Sequence, residues 1–515
     1  MNVRYIMKLA ACITILYIGS IAFGQDNSPD LKLKGSRPNV VFFLVDDLGW
    51  QDVGYMGSAY YETPAIDALA ASSFRFSHAY SSSANCAPSR AALMSGQYSP
   101  RTGIYTVGKA TRGPSEQRKL VPVENETVLA NSVVTMAEAL ASRGYRTGFF
   151  GKWHLGKDKQ GGPLAQGFEV NVGGNHRGRP TKGYFAPWGN PDMPPAPDGT
   201  YLTEFLTEQA VSFVGKQTKD QPFFLMMSLY SVHTPIQAPE ATVARFRGKK
   251  GDQYHNNPTY AAMVSHTDES LRRILAALRR QDMDRDTIVV FTSDNGGYGP
   301  VTQAPNLRGS KGTPYEGGTR VPSFVYVPGA AETGMDIETP ISSIDFYPTM
   351  VELAEGSVAA ETPLDGESLL PLLGEAGQWD RKAIHFHFPA YLEPYGKGRE
   401  FRSKPYGAVR MGDYKLIEFF EHGQLELYDL VRDPAETRNL ALERPDVTLQ
   451  LLSTMRAWRK ETDAFIPEEF NPEFDEQYKP TEFITEDDVE AALGQQKLLH
   501  GAAMSGTFEN QERSR

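Results

Sequence analysis

The chain has 515 residues, 40% of them hydrophobic and 22% charged, with 47 glycines, 35 prolines and a formal net charge of −11. That length is more than one core usually serves, so two domains are the default, and the balance of apolar and charged residues reads as globular and not disordered. The acidic excess argues against nucleic acid as a partner, and the sequence carries no helix-turn-helix, zinc-finger or RNA-binding pattern.

The N-terminus carries Arg4 and Lys8, then an uncharged apolar run from Leu9 to Phe23 and the small-residue end Ala22-Phe23-Gly24. This is the pattern of a secretory signal, and the run is short for a membrane span. Leu9-Ala10-Ala11-Cys12 has the letters of a lipoprotein box, but Lys8 leaves it almost no apolar stretch in front, so simple cleavage near Gly24 is expected. The product is then exported, periplasmic or secreted, without stable membrane insertion. Loss of Arg4 and Lys8 takes the net charge from −11 to −13 and leaves Cys86 as the one cysteine. An exported protein with a single cysteine has no internal disulfide, so that thiol is either accidental or functional.

Residues 39–45 form a continuous apolar run ending in Asp46-Asp47, as suits a central strand buried on both faces. The carboxylates then lie at a strand's C-terminal end, where open α/β sheets bind ligands. Standing alone, such a pair serves equally as a turn or helix cap. Thr63 and Pro64 suit the N-cap and first position of a helix through Ala71. Cys86-Ala87-Pro88-Ser89-Arg90 opens a helical run through Met94, which sets Cys86 against unpaired N–H groups and Arg90 one turn further on. By composition alone, a lone cysteine is as readily a buried, inert thiol.

Residues 135–143 are amphipathic and stop at Gly144, a C-terminal cap. A short strand at 147–150 delivers Gly151-Lys152-Trp153-His154 to a loop, where Lys and His are often no more than polar surface. Residues 223–230 read as another buried strand, followed by Ser231-Val232-His233-Thr234-Pro235; a lone histidine there serves equally as a structural residue. The stretch 260–281 repeats apolar residues at helical spacing and reads as packing scaffold. Residues 287–292 form a second β-branched run, ending in Ser293-Asp294-Asn295-Gly296-Gly297. Two buried strands delivering such residues to one sheet edge make a cage of hard oxygen ligands, suited to Ca²⁺ or Mg²⁺ rather than zinc.

Further on, Asp345 reads as the N-cap of a helix to Ala354, and residues 365–382 read as a linker. Strands at 384–388, 408–410, 414–420 and 424–430, with turns at Gly412-Asp413 and His422-Gly423, make a small antiparallel sheet, and 445–462 supplies a helix over one face. From about Pro467 the chain is acidic and Pro-rich, then polar, and is expected to wrap in extended form or to be partly disordered.

Two long stretches carry a family resemblance. Cys86-x-Pro88-Ser89-Arg90 and its continuation to Tyr105 resemble the signature of the type I sulfatases, of the alkaline phosphatase superfamily. So does Arg308-Gly309-Ser310-Lys311-Gly312-Thr313-Pro314-Tyr315-Glu316-Gly317-Gly318-Thr319-Arg320-Val321-Pro322, and Gly151-Lys152-Trp153-His154 matches a further motif. The resemblance covers essentially the whole mature chain. It implies an α/β fold with a large mixed, mostly parallel sheet sandwiched by helices, plus a smaller C-terminal antiparallel sheet domain with a helix. The expected division is a signal at 1–24, an α/β catalytic domain at 36–370, an α+β subdomain at 380–465 and a tail at 466–515.

The resemblance further implies that a formylglycine-generating maturation enzyme oxidises Cys86 to formylglycine (3-oxoalanine). Asp46, Asp47, Asp294, Asn295 and the modified Cys86 are then ligands of a divalent ion, Ca²⁺ ahead of Mg²⁺. Cys86, Arg90, Lys152, His154, His233 and Lys311 are the implied catalytic set, with His233, helped by Lys311, protonating the leaving oxygen and His154 taking a proton as sulfate departs. Glu316 and Arg320 are expected to pair and hold their loop. Export, together with the basic stretch Gly174-Asn175-His176-Arg177-Gly178-Arg179 and the aromatic run Tyr184-Phe185-Ala186-Pro187-Trp188, points to a sulfated carbohydrate. His176, Arg177 and Arg179 are the candidates for binding it, with residues 391–402 a further wall. The rival chemistry is a phosphomonoester, phosphodiester or phosphonate hydrolase of the same superfamily. A carbohydrate-binding pseudoenzyme would need a broken site, whereas every motif residue is in place.

Overall fold

The computed structural model describes residues 33–330, 334–355, 363–374, 377–396, 401–480 and 483–498, so the signal expected at 1–24 lies outside the described residues. Eight strands form the main sheet in the order Val170–Val172, Arg146–Gly151, Phe223–Ser228, Asn39–Val45, Thr287–Ser293, Phe324–Tyr326, Phe74–Phe76 and Met335–Ile337. All run the same way except Phe324–Tyr326. The central strand explains its own unbroken apolarity. Val41, Phe43 and Val45 pack with Tyr260, Met263 and Leu271 of the helix Pro258–Arg280 on one face. Val40, Phe42 and Leu44 pack with Met136, Phe346 and Met350 on the other, so neither face meets water.

Register sets what leaves the sheet together. Val45 pairs with Ser293, and Leu44 and Gly151 each pair with Ser228. Four neighbouring strands therefore end level, and Asp46, Lys152, Asp294 and the loop to His233 emerge side by side.

The second sheet is antiparallel, in the order Ala383–Phe388, Tyr406–Met411, Tyr414–Phe419 and Gln424–Asp429. Val409, Leu416 and Leu425 pack under Leu451, Leu452 and Met455 of the helix Pro445–Glu461. Phe386, Ala408 and Ile417 turn the other way, towards Tyr80 and Ala110 of the main body. The two sheets give the α/β architecture the sequence led us to expect.

His385 and His387 on the first of these strands are 7% and 5% exposed, and His385 stacks on Trp458 at 4.6 Å between ring centroids. Burial pushes both imidazoles down, to about 3 and about 4. An unfolded histidine titrates near 6.5, so unfolding takes up protons that the folded chain refuses as the pH falls below that value. The contribution to stability is complete above about pH 6.5 and is lost at about 1.4 kcal/mol per pH unit per histidine towards pH 4. Denaturant titrations between pH 7 and 5 should show His385→Phe flattening that slope by one histidine's share; an unaltered slope would refute the assignment.

Local details differ from the sequence reading. Thr63 sits before the helix Pro64–Ala70 but caps nothing in it: its hydroxyl accepts from Gly54 N at 2.8 Å, and the helix's free N–H groups at Ala65 and Ile66 go to Asp268 Oδ1. Asp345 does not cap Phe346–Leu353 either, because its carboxylate accepts from Ser342 N and Glu367 N. The stretch read as a linker is packed, with Leu369, Leu370 and Leu373 buried in the main core and Asp365 paired to Arg101 at 2.9 Å. The tail does wrap, forming a bridge between Leu120 and Phe470, but residues 486–498 are helical and bury Val489 against the second sheet's core.

Candidate active site

Most predicted site residues follow a strand or lie in the first turns of a helix, Lys311 standing in a loop, and the register gathers most of them into one cluster. Ligand atoms of Asp46, Asp47, Cys86 and His233 all lie within 4.8 Å of one another. Asp294 joins them through its Oδ1, which accepts from Asp47 N at 3.2 Å, and Asn295 Nδ2 donates to Asp47 Oδ1 at 2.8 Å. Cys86 is the first residue of the helix Cys86–Ser95, capped by Asn85, and its Sγ stands 3.6 Å from Asp46 Oδ1 and 3.8 Å from Asp47 Oδ1.

Cations bracket the carboxylates. Lys152 Nζ donates to Asp46 Oδ2 at 2.7 Å, and Lys311 Nζ lies 2.6 Å from Asp47 Oδ1. Arg90 is mostly committed: Nε donates to Asp294 Oδ2 at 2.8 Å and Nη1 to Lys152 O and Ser228 Oγ, while Nη2 is buried without a hydrogen-bond partner. Gly151 makes the Lys152 placement possible. Its φ is 117°, and a Cβ there would fall 1.8 Å from Ser228 O, a conformation and a closeness only glycine accepts. Asp47 and His154 also hold left-handed backbone, at φ 63° and 70°, which non-glycine residues adopt rarely and mostly where surrounding structure forces it.

The charges are tightly coupled. Burial raises the Asp46 carboxyl well above its usual range, with Asp294 and Asp47 adding to it against Lys152. Burial works the same way on Asp47 and Asp294, but Lys311 and Arg90 respectively lead the cations that hold them low. Burial drives the Cys86 thiol up to about 12, beyond what Lys152 and Lys311 offset. A thiol so placed is protonated at neutral pH and a poor nucleophile. Burial, followed by Lys311, lowers His233 to about 3; burial, followed by Lys152 and Arg90, lowers His154 well below its ordinary value. His233 Nδ1 lies 2.8 Å from Thr234 O, so the neutral ring donates there and leaves Nε2 as an acceptor, 3.7 Å from Asp47.

The donor set fits a hard divalent cation. Three carboxylates converge, and Asn295 Oδ1 is buried with no hydrogen-bond partner beside them, an orphaned oxygen of the kind such ions ligate.

The basic loop lies on the site. Asn175 O accepts from His154 N at 2.8 Å, and His176 lines a 350 Å³ pocket with Ala87, Thr106, His154 and Lys157. Arg177 turns its guanidinium to the Gly189 carbonyl, and Arg179 is exposed; neither lines that pocket. Within the aromatic run Tyr184 and Trp188 are buried, Phe185 is half-buried and Pro187 exposed, and the Tyr184 hydroxyl donates to the Tyr230 and His233 carbonyls, so Tyr184 shapes the His233 loop. Two positioning residues escaped the sequence reading. Ser228 was detectable as the polar end of an otherwise apolar strand. Gly178 was inside the basic stretch but not singled out in it, yet a Cβ there would meet His154 Cε1 at 2.3 Å. Gly178→Ala is expected to displace the imidazole and lower kcat/KM by up to about 10²-fold, read by steady-state turnover with the melting temperature as control.

The Sulfatase family profile matches residues 38–357, and the profile for N-sulphoglucosamine sulphohydrolase, C-terminal, matches 310–461. A sulfatase of Formosa agariphila is 32% identical over 509 residues, covering 84% of this chain and 90% of its own length. N-acetylgalactosamine-6-sulfatase of Mus musculus is 30% identical over 408 residues, covering 73% and 71%. The crystal structure of Ps i-CgsB in complex with k-i-k-neocarrahexaose superposes with a TM-score of 0.68 at 28% identity, covering 86% of this chain and 100% of that one.

Proposed function

The chain belongs to the sulfatase family and is a sulfuric ester hydrolase, and from that premise we propose that it is an exported glycosulfatase, removing sulfate from an oligo- or polysaccharide. The observation that carries the reading is the single cluster of Cys86 with Asp46, Asp47 and His233, clamped by Lys152 and Lys311. We assign the signal to 1–24, the catalytic domain to 36–370, the subdomain to 380–465 and the tail to 466–515. Support for a sugar comes from the relative acting on N-acetylgalactosamine 6-sulfate by name, from the neighbour holding a neocarrahexaose, and from the pocket beside His154 and His176.

In this reading Asp46, Asp47, Asp294, Asn295 and Cys86 hold a divalent ion, Ca²⁺ ahead of Mg²⁺, which supplies charge neutralisation and a lowered hydroxyl pKa. Formylglycine made from Cys86 by a maturation enzyme would, once hydrated by water, place a geminal diol here as the oxygen nucleophile. Lys152 and Lys311 face the nonbridging oxygens, and Arg90 keeps Asp294 and the Lys152 backbone in place. An arriving sulfate brings negative charge beside His233, which favours its protonated form and lets Nε2 donate to the leaving sugar oxygen. His154, whose Nδ1 is buried and unpartnered, takes the proton of the second hydroxyl.

The test is a desulfation screen on defined sulfated mono- and oligosaccharides beside phosphate and phosphonate esters, with mass spectrometry of the peptide carrying Cys86. Sulfate release from a sugar, with the phosphorus esters slower and an aldehyde at residue 86, is the expected result. Faster turnover of the phosphorus esters would overturn it.

A further inference from the structure

A crevice of about 730 Å³ lies between the second sheet and residues 308–315, within the size range of ligand sites, and none of the catalytic machinery above lines it. The 308–315 loop serves both places. Lys311 reaches Asp47, while Arg308 and Tyr315 line the crevice. Tyr315 follows Lys311 by four residues, a separation of at most roughly 14 Å along the chain. Arg402 ties the two places together: it lines the crevice and lies 4.4 Å over the Tyr395 ring, whose hydroxyl donates to Lys311 O at 2.6 Å.

Cations outnumber carboxylates on the crevice wall in a chain whose net charge is −11, with Arg402 also paired to Glu393 at 3.6 Å. Arg308, Arg402, Lys404 and Lys479 stand against Glu421 and Glu426. Lys404 pairs with Glu421 at 2.7 Å and Arg308 approaches Glu426 at 3.9 Å. Lys479, brought in by the wrapping tail, is exposed and has no ion pair among the described residues. His422 also lines the crevice. Its Nδ1 lies 2.9 Å from the Lys119 ammonium, which can only donate. The ring's hydrogen therefore sits on Nε2, which is buried without a hydrogen-bond partner. Rings of Tyr315 and Tyr478 complete a surface of aromatic faces and cations, the chemistry that receives an anionic sugar.

We propose that this crevice is a second subsite for the same glycan, holding a sulfate- or carboxylate-bearing sugar unit further along the chain from the one being desulfated. It rests on the glycosulfatase reading and narrows it to polyanionic oligosaccharides. The test compares wild type with Lys479→Glu and Lys404→Ala/Lys479→Glu. Probes are a defined hexasaccharide carrying one sulfate per sugar unit and the sulfated monosaccharide of its terminal unit. The kcat/KM ratio of hexasaccharide to monosaccharide should fall about threefold in the single variant and about tenfold in the double, through KM with kcat kept. Lys479→Glu touches no described ion pair, so its result stands even if the double variant folds poorly. A wild type that acts on both probes with a ratio unmoved by Lys479→Glu would overturn the subsite alone. A wild type that acts on neither would overturn the glycosulfatase reading, and the subsite with it.

Discussion

Cys86→Ala and Cys86→Ser proteins should fold, bind a sulfated sugar and fail to turn it over, with kcat reduced at least about 10⁴-fold. The fold survives because Sγ makes only the long contacts of 3.6 and 3.8 Å to Asp46 and Asp47, so little packing is lost. Binding survives because Lys152, Lys311 and the His154–His176 pocket remain. Turnover fails for different reasons in the two variants. Alanine has no nucleophile. Serine has one hydroxyl, which can accept a sulfuryl group once but leaves no second hydroxyl to expel it. Steady-state sulfate release and equilibrium binding, measured together, check this; ordinary multiple turnover by either variant would contradict the role given to Cys86.

Lys415→Met should cost about 3–5 kcal/mol of stability. Lys415 is fully buried and lies 3.1 Å from both Glu316 and Glu436, themselves fully buried. Glu316 accepts from Tyr80, which in turn accepts from Arg410, and Glu316 also lies 3.7 Å from Arg320, the pairing expected of that loop. Removing the ammonium leaves two carboxylates inside the protein without their common partner. Burial already lifts Glu436 to about 7, with Lys415 the largest influence holding it down. A second substitution, Glu436→Gln, removes one of the stranded charges and should recover part of the loss. Denaturant midpoints of the single and double variants decide it: a Lys415→Met protein as stable as wild type would mean the network carries no net stabilisation.

Much of the site was readable because its residues sit where patterns break. Asp46, Lys152, His233 and Asp294 each follow an apolar run, and a run bounded by polar residues reads as a buried strand before any contact is known. Which strands are neighbours was not readable. Nothing in residues 39–45 or 223–228 names a partner, so the level ending of Val45, Ser293 and Ser228 came only with the sheet. The misreadings have one cause: a side chain's type does not say where it points. Tyr184 and Trp188 look alike in a pocket wall or a core, and Thr63 and Asp345 are good caps that the fold uses on other N–H groups. The helix at 486–498 hid because its apolar residues are few among charges, and Val489 needed a groove made by distant strands to be worth burying.

The helix that begins at Cys86 is buried along its whole length, and Cys86 itself is 1% exposed. No second protein could close around that segment once the sheet and its covering helices have come together. On the function proposed above, an enzyme that oxidises this sulfur therefore meets it before the chain has folded. On that same reading, the proportion of active molecules in a preparation is then set by how the rate of oxidation compares with the rate of folding.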